Sequence, residues 1–140
     1  MIGSQLSSHG IKLKKSLQDA LPAVLGENLR LEEVVVNLLV NAMHALNGTG
    51  KKEKVINIAT RAGKKVILEI SDNATGINKK IKDKIFDPFF TTKGVGVGMG
   101  LGLSIVHSIV TSFNGKIHVE ANEMGGATFR VEFPVLKKER

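Results

Sequence analysis

Asn37 and Asn41 stand four residues apart, with Glu33 before them and His44 after, so a helix would set all four on one stripe. Amide oxygens in that arrangement suit a hard divalent cation that shares its ligands with phosphate oxygens. They suit equally two amides hydrogen-bonded to nearby loop carbonyls. A second cluster is Asp72-Asn73-Ala74-Thr75-Gly76-Ile77, at the end of an alternating run. Val66, Leu68 and Ile70 share the parity of Asp72, so its carboxylate points toward the buried layer. A buried carboxylate needs partners, and the exocyclic amine of adenine is a suitable one. The plainer reading is a turn rich in Asp, Asn and Gly.

Glycine recurs at Gly94, Gly96, Gly98, Gly100 and Gly102 and runs directly into a helical pattern. Glycine is unfavourable in a helix, but here it leaves backbone N–H groups and a helix start open to an anion. No Gly-Lys-Ser/Thr follows and G-x-G-x-x-G does not occur, so neither the P-loop nor the dinucleotide fingerprint is present. The fourth cluster is Ile85-Phe86-Asp87-Pro88-Phe89-Phe90-Thr91-Thr92-Lys93. Its phenylalanines could form a hydrophobic plug. Thr91, Thr92 and Lys93 add hydroxyls and a cation suited to phosphate.

Periodicity supplies the elements that hold these clusters. Leu29 to Leu46 predicts a long helix, opened by Asn28 as cap and closed at Asn47-Gly48. It is apolar nearly all round, Val36 included, which predicts burial on every side. Ile11, Leu13 and Leu17 suggest a first strand, and Ala23–Leu25 a short one after Pro22. Val55–Arg61 and Lys65–Ser71 predict a hairpin across Ala62-Gly63-Lys64. Asn78–Ile85 reads as a short helix, Asp87–Val97 as a loop, and Gly100 or Leu101 to Phe113 as a second long helix. Lys116–Ala121 and Ala127–Phe133 form a final hairpin across Met124-Gly125-Gly126. This order predicts an α+β fold: a two-layer α/β sandwich whose mixed, mostly antiparallel sheet is covered on one face by helices.

Composition narrows the field. The 140 residues suffice for one core, and the absence of cysteine excludes disulfides, thiolate metal sites and cysteine nucleophiles. His9, His44, His107 and His118 show no metal-ligand spacing with acidic residues, and no serine lies in a nucleophile elbow. No apolar run is long enough to span a bilayer, so no direct membrane insertion is expected. Met1–Gly10 lacks a basic head followed by an apolar stretch, so no secretory leader is expected either. The net charge of +7 favours anionic partners. Without Tyr or Trp, and with no phenylalanines interleaved among basic residues, the chain lacks a base-stacking platform, and nucleic acid is not expected as a partner.

Taken together, the four clusters resemble the boxes of the catalytic, ATP-binding domain of bacterial sensor histidine kinases, in the superfamily shared with DNA gyrase and HSP90. Leu31–Ala42 looks like the N box, Asp72–Ile77 the first glycine box, Ile85–Lys93 the F box and Gly98–Val106 the second glycine box. Gly126-Ala127-Thr128-Phe129, ending at Pro134, is similar to the last hairpin of the family. The Phe-Phe-Thr-Thr-Lys wording is most similar to the nitrogen-regulation type. The resemblance covers about residues 11–135 and implies the Bergerat α/β sandwich. Residues 1–10 would be a flexible lead-in and 11–140 the catalytic domain.

The resemblance also implies roles. Asn41 would ligate Mg2+, with Asn37 assisting at metal or phosphate and His44 reaching the phosphates. Asp72 would bind the adenine amine, with Thr128 sharing a bridging water and Gly76 and Ile77 bordering the base. Thr91, Thr92 and Lys93 would belong to a mobile lid. Gly98, Gly100, Leu101, Gly102 and Leu103 would let the backbone approach the phosphates. ATP would be the substrate and ADP the product. The acceptor would be a histidine on a dimerisation domain, with a response regulator downstream and the cytoplasm as setting. No His followed by Glu or Asp and then by Pro occurs here, so that acceptor would lie outside this chain. Asn37 also replaces the water-activating glutamate of the gyrase and HSP90 branch, and an amide cannot act as a general base. This implies phosphoryl transfer to histidine, with weak hydrolysis at most. Ala74 replaces the first glycine of the usual D-x-G-x-G, where its methyl could crowd the base or strain a turn. That departure leaves open a degenerate interaction module; a serine kinase of the anti-sigma-factor type is a further alternative.

Overall fold

The structure, a computed structural model, describes residues 6–16, 28–47, 49–87 and 102–134. Among the described residues, five strands form one sheet: β1 (Ile11–Ser16), β2 (Lys54–Ala62), β3 (Lys65–Asp72), β4 (Lys116–Ala121) and β5 (Ala127–Pro134). Their order across the sheet is β1-β2-β3-β5-β4. β1 pairs with β2 in parallel, and the remaining pairs are antiparallel. Among the described residues, two α-helices, α1 (Asn28–Asn47) and α2 (Gly102–Ser112), lie between strands in the chain. This is the mixed, mostly antiparallel α/β sandwich that the order of patterns predicts.

Strand alternation divides the sheet into two faces. Ile56, Val66, Leu68, Ile70, Val119, Phe129, Val131 and Phe133 form the buried face. Against them pack Val34, Leu38, Leu39, Ala42, Met43 and Leu46 of α1, and Val106, Ile109 and Val110 of α2. Burying each such side chain is worth about 1.5–3 kcal/mol, so this single layer carries the fold. The open face holds charge. Arg61 makes a two-pronged pair with Glu69 at 2.8 and 3.2 Å, and Arg130 bridges Glu69 and Glu120 at 2.8 and 2.5 Å.

Three local expectations need correction. α1 is not buried all round: it packs on the sheet and on α2, and its third side faces solvent, leaving Val36 42% exposed. Asn78–Ile85 is not an α-helix but a turn leading into a single 3-10 turn at Lys82–Lys84. Asn78 Oδ1 accepts the Lys80 N–H at 2.8 Å, a local turn that competes with the helix, and lysines crowd the same short segment. Residues 6–10 are not a loose lead-in, because Leu6 is 1% exposed and sits in the core. A helical turn begins at Leu6 and Gly10 then swings the chain into β1 with φ +73°. Leu17 and Ala23–Leu25 lie outside the described residues.

Candidate nucleotide-binding site

The site forms where β3 ends, between the two helices and the turn that starts β5. Asp72 is the last residue of β3 and lies on the buried face, as its parity requires. Its Oδ1 accepts the N–H of Ala74 at 3.0 Å and the N–H of Ala127 at 3.3 Å. Both bonds fall on Oδ1, and among the described residues no donor is seen on Oδ2. Burial pushes the Asp72 carboxyl above the usual carboxylate range. The two backbone N–H groups and the Lys51 ammonium oppose that shift by favouring the ionised form.

The segment after Asp72 is fastened on both sides. Asn73 Oδ1 accepts the Val55 N–H at 2.9 Å, and its Nδ2 donates to the Glu53 carbonyl at 3.0 Å. Lys51 Nζ donates to the carbonyls of Asn73 and Ala74 at 2.5 and 3.0 Å. Ala74 is buried in the core, and among the described non-glycine residues positive φ belongs to Asn114 alone. The turn therefore does not need glycine at position 74, and the methyl neither strains it nor stands free to crowd a base. Gly76 is the position with φ +81°, so the conformational demand falls there. Ile77 packs at the edge of the core.

Across the site, Asn37 and Asn41 flank the buried stripe of α1 and are both partly exposed. Asn37 Nδ2 donates to the Glu33 carbonyl one turn back, at 2.9 Å. That bond turns Oδ1 outward, toward the first residue of α2: a Cβ at Gly102 would stand 3.4 Å from it. The amide oxygen expected to meet a cation or phosphate is thus presented beside the helix start. His44, one turn beyond Asn41, is also partly exposed. Leu103 packs against the core, anchoring the first turn of α2. Phe86 lies edge-on to Phe129 at 6.5 Å between ring centroids and meets His107 of α2 at 5.5 Å, which ties the start of the Phe-rich segment to this layer. Thr91, Thr92, Lys93, Gly98, Gly100 and Leu101 lie outside the described residues.

Thr128 is not where the resemblance implies. It pairs directly with Ser71, so it shares the open face of the sheet with Ser71 and not the buried face with Asp72. Its hydroxyl bonds Ser71 Oγ at 2.8 Å and Asn122 Nδ2 at 3.2 Å. The residue beside the Asp72 carboxylate is its neighbour Ala127, acting through backbone N–H. Two participants escaped the sequence reading, Lys51 and Asn122. Asn122 was legible only as a turn residue, because its side chain acts across the sheet.

Comparison with known proteins bears on the family and the fold. Residues 26–137 match the family described as histidine kinase-, DNA gyrase B-, and HSP90-like ATPase. The sensor protein FixL of Bradyrhizobium diazoefficiens is 36% identical over 124 residues, covering 89% of this chain and 24% of its own length. The sensor histidine kinase ZraS of Escherichia coli is 36% identical over 136 residues, covering 96% of this chain and 28% of its own. The chain therefore spans about a quarter of the length of these relatives. The solved catalytic domain of histidine kinase ThkA superposes with a TM-score of 0.79 at 31% identity, over 96% of this chain and 85% of that one. The fold is thus the Bergerat sandwich of histidine kinase catalytic domains, and the chain belongs to the family of histidine kinase-, DNA gyrase B-, and HSP90-like ATPases as an ATP-binding domain of the sensor kinase type.

Proposed function

We propose that this domain binds Mg-ATP and donates its γ-phosphoryl group to a histidine on a dimerisation domain of the same kinase, from which a response regulator draws it. The observation that carries this reading is the Asp72 carboxylate, buried and held on one oxygen by Ala74 and Ala127 while Oδ2 faces no described donor. An ionised acceptor in that position reads an exocyclic amine, which adenine has and guanine lacks at the corresponding atom.

Asn41 would hold magnesium through its amide oxygen, with Asn37 Oδ1 beside it at the start of α2. Hard amide oxygens on a partly exposed helix flank fit that ion, which keeps several waters. When bound, magnesium neutralises charge on the phosphates. His44 and Lys93 would supply further positive or hydrogen-bonding groups, and Thr91 and Thr92 would border the phosphates from the lid. Gly98, Gly100, Leu101, Gly102 and Leu103 would offer backbone N–H groups to the same anion. In the transfer, the imidazole nitrogen forms a bond to phosphorus as the bond from phosphorus to the β,γ-bridging oxygen breaks, and ADP leaves. This chain positions the donor and steadies charge; it has no carboxylate at position 37 to activate water. The reading favours the cytoplasm, where ATP is available; among the described residues no helix is long and apolar enough to cross a membrane.

Calorimetric titration with ADP, in magnesium and in EDTA, tests the site. Magnesium-dependent binding is expected, with Asp72→Asn weakening it about tenfold or more and Asn41→Ala abolishing the magnesium dependence. Wild-type affinity in Asp72→Asn would overturn the adenine assignment. Transfer from labelled ATP to a histidine-bearing domain should give an acid-labile product; an acid-stable one would favour the serine kinase alternative.

A further inference from the structure

The Asn122 side chain uses its whole hydrogen-bonding capacity. Its Oδ1 accepts the N–H of Met124 at 2.9 Å and of Gly126 at 3.0 Å. Its Nδ2 donates to the Asp72 backbone carbonyl at 3.0 Å and to Thr128 Oγ1 at 3.2 Å. An amide has two donor hydrogens and two acceptor lone pairs, and all four are engaged. The partners also fix which end is which, because two N–H donors face the oxygen and two oxygens face the nitrogen. No other uncharged side chain of that length offers both functions.

These bonds join two pieces of chain that are distant in sequence. Asn122 begins the turn between β4 and β5, closed by the bond from its own N–H to the Gly126 carbonyl at 3.1 Å. The turn delivers the Ala127 N–H to Asp72 Oδ1. At the same time, Nδ2 holds the Asp72 carbonyl from the other side of the strand. The Asp72 backbone and one of its carboxylate oxygens are therefore both referenced to the same turn.

We propose that Asn122 is a positioning residue that sets the purine selectivity of this site, by fixing the end of β3 so that Asp72 Oδ2 keeps one orientation toward the base. The proposal rests on the reading of Asp72 as the group that meets the adenine amine. Asn122 does not touch the nucleotide; it acts through Asp72 and Ala127. Its removal should therefore erode discrimination between bases more than affinity for the diphosphate.

The test compares ADP with inosine diphosphate, whose ring carries a carbonyl oxygen in place of the amine, by calorimetry on the wild-type chain and two variants. Asn122→Asp keeps an acceptor for the Met124 and Gly126 N–H groups but cannot donate to Asp72. Asn122→Ala removes both functions. The wild type should prefer ADP, and in Asn122→Asp that preference should fall about three- to tenfold, chiefly through weaker ADP binding. Asn122→Ala should lose at least as much. A role in stability alone would lower the melting temperature and weaken both ligands together, leaving their ratio unchanged. An unchanged ratio in Asn122→Asp would overturn the proposal while leaving Asp72 in place, as would an Asn122→Asp chain that no longer folds, since Asn122 would then be a requirement of the hairpin. Equal wild-type affinity for the two diphosphates would overturn the Asp72 reading itself, and the proposal with it.

Discussion

Gly126 lies against Asp72 so closely that a Cβ added to it would overlap the Asp72 carbonyl oxygen and stand 2.5 Å from Oδ1. Both obstacles are fixed: the carbonyl belongs to the end of β3, and Oδ1 is held by the N–H groups of Ala74 and Ala127. Gly126→Ala should therefore push β5 away from β3 at the site. The expected loss is about 1–3 kcal/mol of stability, read as a lower melting temperature, together with weaker ADP binding. Wild-type affinity in a folded Gly126→Ala chain would show that the contact is dispensable to the site.

Ala74 leads to a contrasting expectation. Its methyl is buried with the core and its φ is ordinary for an L residue. Restoring glycine with Ala74→Gly should destabilise the domain by about 0.5–1 kcal/mol, through greater freedom of the unfolded chain. ADP affinity should stay as it is. A gain in affinity would mean that the methyl does obstruct the base, which would return weight to the degenerate-module alternative.

Asp72 and Glu69 should respond to acid in opposite senses. The Asp72 carboxyl is pushed up by burial, so the folded chain takes its proton before the unfolded chain does. Its contribution to stability therefore improves as pH falls from its raised value into the ordinary carboxylate range. The Glu69 carboxyl is held down, first by the hydrogen bond from Arg61 and also by Arg130, against the opposing effect of burial. Its contribution is present above the ordinary carboxylate range and is lost as pH falls through the depressed value. Melting curves from about pH 3 to pH 7 check both signs. The advantage of Asp72→Asn over the wild type should be largest at neutral pH and shrink in acid. The deficit of Glu69→Gln should likewise be largest at neutral pH and shrink in acid. A pH-independent offset in either variant would refute the corresponding assignment. ADP binding should weaken in acid as well, because a protonated Asp72 no longer offers an ionised acceptor.

Much of the site follows from short-range pattern. The i, i+4 spacing of Asn37 and Asn41 is enough to set them on one stripe of α1, since a helix repeats every 3.6 residues. The period of two along β3 is enough to turn Asp72 toward the buried layer. Both placements are local consequences of backbone geometry, and both agree with the structure. The antiparallel hairpins and the layered α+β arrangement were legible in the same way.

What surrounds Asp72 was decided only by tertiary structure. β5 inserts between β3 and β4, and that non-local pairing brings Asn122, Gly126 and Ala127 to the end of β3. The same register places Thr128 opposite Ser71. The face itself follows from alternation, since Ala127, Phe129, Val131 and Phe133 take the buried side and leave Thr128 with Arg130 and Glu132 on the other; the pairing with Ser71 is what the register sets. Leu6 is a similar case: a lone leucine among small polar residues looks peripheral, and only the packing of the chain before β1 buries it. By itself the sequence determined which residues face which layer, because alternation and helical spacing are properties of the local chain. The tertiary fold decided which of them meet, because contacts between residues 50 or more apart depend on strand order and register.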